Sequence, residues 1–360
     1  MERGLGENLA SARFPPAGCR GRAPAKKGEI PMFEEKQKRS FKEWFHTYEG
    51  QKLYVSALFL LVPLVLLLTF TFVPAFNMIG YSFQERDQFG VDPQFVGFDN
   101  YKTIFTNPDY FITFKNSLYY LVGSVIQQIV ALLLASILCS EIRAKGFFKG
   151  VLFFPYLMNG VAVSIIFLRF FMKGNPPLTQ EGTLNGVLQM FGIDPVRWMD
   201  AADPVLVNCC LVFVSIWRYI GFDIIMYIGA IQSISPDLYE ACDLDGANPF
   251  QRFRYIVFPS IKPIISLQLI LAVKGAISVF EIPYIITGGN YGTSTFVIKT
   301  IETAFKKKQV GLASAMAVVL LIIIIIVTLV QKFMFRDESE VEARESAKKK
   351  RLKMSGKGAA

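Results

Sequence analysis

The chain has 360 residues, a net charge of +9, 52% hydrophobic and 19% charged residues, and a mean hydropathy of +0.38. So few charges on so apolar a chain exclude an ordinary soluble domain and point to a membrane protein. The positive charge does not call for nucleic acid, because Lys and Arg gather in residues 1–53 and in the last 25, flanking the apolar body. That is how a membrane protein holds its ends at the cytoplasmic face.

Taken from the N-terminus, "GLGENLASARFPPAGCRGRAPAKKG" has little apolar periodicity and is rich in Gly, Ala, Pro and Arg. Residues 1–31 are therefore expected to be disordered and dispensable, with Met32 opening the remainder of a cytoplasmic segment, 1–53. His46, the only histidine, has no Cys or His near it and reads as a surface residue. The first apolar run starts near Leu53, too far along and too long for a signal peptide. About 20 apolar residues are needed to cross a bilayer. Six stretches meet that length: 54–76, 116–138, 151–172, 205–231, 264–286 and 312–333. The expected fold is thus all-α, a polytopic bundle of six transmembrane helices over residues 54–335, followed by a charged tail, 336–360. Lys and Arg in the connections at 140–150 and 234–263 put those two loops, and both termini, inside. Lys306, Lys307 and Lys308 then fall outside, against the usual bias.

The chemistry of catalysis is missing. The five cysteines have no metal spacing, and no phosphate-binding Gly-x-x-x-x-Gly-Lys-Ser/Thr, His-Glu-x-x-His or Gly-x-Ser-x-Gly occurs. No enzyme, cofactor or metal site is expected. Ionisable residues within spans carry more information, since each costs roughly 2.5–3.5 kcal/mol at the bilayer centre. Arg218 and Asp223 lie in the fourth span, and Lys274 and Glu281 in the fifth. Lys274 and Glu281, seven apart, share one helical face, while Tyr219, Asp223 and Tyr227 share another. Gln127 and Gln128 add polarity to the second span. Two readings follow: a polar translocation pathway whose rings stack on sugar faces, or interhelical bonds that hold the bundle together.

Between the fourth and fifth spans stands "SPDLYEACDLDGANPFQRFRYIVFP". Ser235 suits an N-cap and Pro236 the first helical position. Asp237 and Glu240 lie on the favoured side of the helix dipole. Gly246 suits the left-handed C′ position, Asn248 caps a second helix, and Pro259 is expected to end it. Phe250, Phe253 and Val257 are expected on one face.

Within this segment "EACDLDGANPFQRFRYIVFP" resembles the EAA loop of binding-protein-dependent ABC importer permeases, with Glu240, Ala241, Asp245, Gly246, Ala247, Ile256 and Pro259 at matching positions. Cys242 and Phe258 are mild departures. Further segments are similar to the carbohydrate branch of that family: "VGFDNYKTIF" (96–105), "GTLNGVLQMFGI" (182–193), "FEIPYIITGGNYGTST" (280–295) and "AFKKKQVGLASAMAV" (304–318). Glu281 replaces an aspartate there, and Asn290 and Tyr291 replace Gly-Pro. The resemblance implies that residues 235–259, with Phe250 and Phe253 among them, dock on a cytoplasmic ATPase. It also implies a second permease subunit, an extracellular or periplasmic solute-binding protein, and a sugar, oligosaccharide or polyol as substrate. The readings left open are a permease for phosphate, amino acids or peptides, and a receptor or channel subunit without ATP coupling.

A topology with a cytoplasmic EAA loop makes one local prediction. A cysteine at Lys307, in a background lacking native cysteines, reacts with an impermeant thiol reagent in intact cells; labelling that waits for permeabilisation reverses the assignment.

Overall fold

The computed structural model describes residues 48–87, 93–140, 143–174, 182–199 and 202–334. Residues 1–31 and the tail from 336 on, for which disorder and a charged tail are expected, lie outside the described residues, as does His46. The chain divides into two units, Met1–Leu66 and Leu67–Ala360. The described part of the first is helix α1 (Tyr48–Leu67), whose apolar side chains are exposed along its length.

In the second unit a π-helical turn, Leu68–Phe72, leads into α2 (Val73–Tyr81). The turn closes with the Val73 amide donating to the Leu68 carbonyl, one residue before Pro74. A proline lacks the amide hydrogen and crowds the preceding turn, so the wider ring lets the helix pass it unbroken. The same device recurs later. After α2, a two-residue antiparallel ribbon, β1 (Gln84–Glu85) and β2 (Gln94–Phe95), precedes α3 (Asp99–Thr106) and the long α4 (Pro108–Leu138). Asn107 starts α4 by accepting from the Asp109 amide at 2.9 Å.

The third apolar run is not one helix. It is split into α5 (Lys145–Leu157) and α6 (Gly160–Phe170), bent by 95°. Met158 and Asn159 adopt extended backbone, and Asn159 caps α6 by accepting from the Val161 amide at 2.8 Å. The cap was present in the sequence as "MNG", but mean hydropathy averages over it. After α7 (Thr183–Met190) comes α8 (Pro204–Gln232), capped by Asp203. The loop segment forms α9 (Pro236–Leu244) and α10 (Pro249–Arg252).

Pro259 does not end that unit. A second π turn, Phe253–Val257, again closes one residue before the proline, and α11 (Phe258–Ile277) carries straight on. The fifth run breaks instead at 278–280, before α12 (Glu281–Thr287). The chain finishes with α13 (Phe296–Ile301), a third π turn (Glu302–Lys306) and α14 (Val310–Met334). Five apolar stretches long enough to cross a bilayer, plus the bent α5–α6 pair, make the six expected spans.

Three apolar cores hold the second unit together. One joins α4, α6, α8 and α12 around Phe167, Val207, Leu211, Val214 and Ile282. Another joins α4, α8 and α11 around Ala131, Ala135, Ile224 and Ile261. A third joins α3, α4, α13 and α14 around Phe296 and Met316. Helix α8 is common to the first two and packs on α5 as well.

Gly221 is what allows α5 so near: a Cβ there would collide with the Leu152 carbonyl oxygen and the Phe153 backbone, whereas Gly229, two turns on, has open space. Both substitutions to Ala gain the helical preference of roughly 0.5–1 kcal/mol. Only Gly221→Ala meets the overpacking cost of about 1–3 kcal/mol. Thermal denaturation of the purified subunit should therefore show Gly221→Ala melting below wild type and Gly229→Ala at or above it.

Candidate functional site

The Asp223 carboxylate lies in the middle of the bundle, 5% exposed. Three glutamine amides close around it. Gln127 and Gln128, from α4, donate to Oδ2 at 2.6 and 2.9 Å, and Gln268, from α11, donates to Oδ1 at 2.7 Å. Tyr227, one turn along α8, donates to Gln128 Oε1 at 2.5 Å, which fixes that amide with its N–H groups toward Asp223. Hydrogen bonds to a charged group are worth about 1.5–3 kcal/mol each. Three of them are of the size needed to offset the several kcal/mol of withdrawing a carboxylate from water.

One turn earlier on α8, Arg218 donates from Nη1 to Glu281 Oε2 at 2.5 Å and to Tyr219 Oη at 2.9 Å, and its guanidinium lies 4.9 Å from the Tyr219 ring centroid. Glu281 stands in the first turn of α12, so the pair bridges α8 to the break in the fifth span. It also backs onto the break in the third: a Cβ at Gly160, the first residue of α6, would collide with both partners. Two broken spans and the middle of α8 thus converge on one ion pair.

Between the ion pair and the amide cluster opens a cavity of about 510 Å³. Its walls include Asp223, Gln268 and Glu281 together with the rings of Tyr156, Tyr219, Phe222 and Phe280. Tyr156 stacks on Phe222 with centroids 5.0 Å apart, and Phe280 on Tyr284 at 4.8 Å.

The loop after α12 is clamped from two helices. Asn116 donates to the Ser294 carbonyl at 2.8 Å and Asn208 to the Gly292 carbonyl at 3.2 Å, while the Thr287 and Thr293 hydroxyls meet at 2.6 Å. The Gly-x-x-Asn stretch also has a structural explanation. Asn185 accepts from the Val196 amide and the Trp198 indole, and Gly182 lies so close to the last carbonyls of α6 that a Cβ has no room.

In the connection between α8 and α11, Gly246 has φ +69°, the left-handed conformation expected of it. Ser235 occupies the N-cap position of α9 without making the capping bond, and its hydroxyl turns to Asp237 instead. Asn248 and Gln251 form a reciprocal capping box at 2.8 and 2.9 Å. The two short helices are stapled across the glycine turn by an ion pair between Arg252 and Asp243, with the guanidinium 5.8 Å from the Tyr239 ring. Burial of that ring pushes the Tyr239 phenol above its usual range. Glu240, Ala241, Asp245 and Gly246 are exposed and Ala247 half-buried.

The phenylalanines separate. Phe250 is 74% exposed, but Phe253 turns inward onto the α4–α8–α11 core with Val257, because the π turn that begins at Phe253 changes the helical register. Leu244 at 89% and Tyr255 at 71% take the outward places that periodicity alone did not foresee.

The profile of the family described as "Binding-protein-dependent transport system inner membrane component" matches residues 127–338, a span that holds the amide cluster, the ion pair and the α9–α10 turn. The chain belongs to that family. It is accordingly a multi-pass membrane protein and a permease component of a transport system. Among its relatives, the probable ABC transporter permease protein YurN of Bacillus subtilis is 33% identical over 77% of this chain and 94% of its own length. The multiple sugar-binding transport system permease protein MsmF of Streptococcus mutans is 31% identical over 72% and 88%. A solved bacterial ABC transporter for import of the acidic polysaccharide alginate shares the fold, with a TM-score of 0.69, 24% identity, and 80% of this chain covering 97% of that one.

The permease therefore brings together Arg218, Tyr219, Asp223 and Glu281 around or behind one cavity, and locks Tyr227 into the amide cluster beneath it. Lys274 does not join them. Its side chain is exposed, and Glu281 is taken by Arg218. The break at 278–280 cancels the seven-residue face on which the Lys274–Glu281 pairing rested. Gln268 was missed, although an isolated amide within "SLQLILAV" is the same signal that Gln127 and Gln128 give.

Removing one member of a buried ion pair typically costs about 3–5 kcal/mol, and less where, as here, Glu281 is 36% exposed. Arg218→Met and Glu281→Gln alone should each lower the yield of folded subunit in membranes. The double variant should recover much of the loss; a double variant as poor as the worse single one would show that the two side chains act independently.

Proposed function

We propose that this permease forms half of the pathway of an ATP-driven importer for a sugar, oligosaccharide or polyol, paired with a second permease subunit. Solute crosses by alternating access through the cavity between Asp223 and Glu281. The carrying observation is that cavity itself: amide and hydroxyl groups fixed among aromatic rings in mid-span, which is how a protein binds a molecule with hydroxylated edges and apolar faces. The names of relatives support the substrate class, since they include permeases for multiple sugars, for trehalose and maltose, and for arabinooligosaccharides. A bacterial alginate transporter of the same fold, solved in complex with a periplasmic protein bound to alginate pentasaccharide, supports an external solute-binding protein as partner.

The segment 235–259 is the seat of a cytoplasmic ATPase, and hydrolysis belongs to that subunit. Both termini share its side of the membrane. Exposed Leu244, Phe250 and Tyr255 supply the apolar contact, with Glu240 and Asp245 beside it. The Arg252–Asp243 staple makes α9 and α10 move as one body, so closure of the ATPases is passed into α11 without a break in the helix.

Gly246→Val tests this role. Left-handed backbone costs an L-residue about 1–2 kcal/mol, and β-branching adds to it, which re-aims α10 and Phe250. Membrane levels of the subunit should stay normal, because the turn lies outside the spans. Solute uptake should be lost, and the ATPase should co-purify poorly. Wild-type uptake in that variant rules out the coupling role.

A further inference from the structure

Resting on the reading of the cavity as the solute pathway, we propose that Asp223 makes it an anion-rejecting filter, open to uncharged polyhydroxylated or cationic solutes and closed to uronates and sugar phosphates. The charges decide this. Two carboxylates, Asp223 and Glu281, stand in its wall, and no Lys, Arg or His does among the described residues. Arg218, the cation behind it, is bound to Glu281 at 2.5 Å, so that pair cancels and Asp223 is left over. Lys274 is exposed and does not reach the wall.

The hydrogen bonding requires Asp223 to be an acceptor. All three of its partners offer N–H groups, and Gln128 cannot turn its oxygen to the carboxyl because that oxygen already accepts from Tyr227. A protonated carboxyl would have no acceptor for its hydrogen in that shell. The remaining capacity of the wall is of the same kind: Gln268 Oε1 is buried without a partner, and so is the Tyr120 hydroxyl. A carbonyl oxygen is satisfied by a hydroxyl or ammonium donor and repelled by an ionised carboxylate or phosphate. Anionic solutes are cargo elsewhere among the relatives, as the names of an alginate importer and a sn-glycerol-3-phosphate permease state. The uncompensated carboxylate sets this cavity against such cargo.

The test uses charged probes in place of the unidentified solute. In the assembled transporter, free of native cysteines and reconstituted in nanodiscs open to both faces, Ser124→Cys places a thiol in the cavity wall one turn from Gln128. Its rates with a trimethylammonium-ethyl and a sulfonatoethyl methanethiosulfonate are compared with those of Thr106→Cys on the exposed end of α3. A unit charge in a narrow, low-dielectric cleft should raise the cation-to-anion rate ratio at position 124 by about tenfold over that at position 106. Asp223→Asn should return it toward the control. Equal ratios at the two positions in the otherwise wild-type transporter overturn the filter while leaving the pathway intact, and this decides the matter even if Asp223→Asn fails to assemble. A thiol at position 124 that reacts with neither reagent, with or without ATP, overturns the pathway reading and the filter with it.

Discussion

A carboxylate with no cation, held away from water, is the constraint around which this bundle is arranged. Asp223 has to be surrounded by donors, and a single helix cannot supply them, because neighbouring side chains on one helix point along its surface and not around a point. The donors come from α4 and α11, so the cost of leaving Asp223 unsatisfied becomes a reason for three spans to keep their register. Tyr227 extends the arrangement by one bond, orienting the amide that orients the acid. Apolar packing of α4, α8 and α11 around Ala131, Ile224 and Ile261 brings the helices together without specifying rotation. The amides specify it.

The two broken spans follow a related rule. Inside a membrane an interrupted helix frees backbone groups that must find partners, and it is tolerated only where protein or a polar cavity receives them. Asn159 satisfies one end of α6, and both breaks abut the Arg218–Glu281 pair beside the cavity. Where the chain has no such cavity to serve, it avoids breaking at all. The π turns ahead of Pro74 and Pro259 carry helices past residues that would ordinarily stop them. At Pro259 this has a functional consequence under the proposed coupling role, since a helix without a hinge transmits displacement of α10 directly along α11.

Much of this was legible before any coordinates. Six apolar runs, the capping residues Asp203 and Asn248, the left-handed Gly246 and the polar residues scattered through the spans are local signals, readable because a helix has a fixed rise and a fixed period. The failures share one cause. Pairing Lys274 with Glu281 assumed an unbroken helix, and grouping Phe250 with Phe253 assumed an uninterrupted α-helical period. A break in the first case and a π turn in the second rotate everything that follows.

The sequence by itself determined which segments enter the bilayer, how many there are, and which family the chain resembles, because hydrophobic length and motif spacing are properties of neighbouring residues. Only the tertiary structure decided which polar side chains meet. Asp223 lies 96 positions from Gln127 and 45 from Gln268, and Arg218 lies 63 from Glu281. At such separations partnership is set by how helices cross and where they bend. Burying a charge then selects, among the crossings that apolar packing allows, the one that satisfies it.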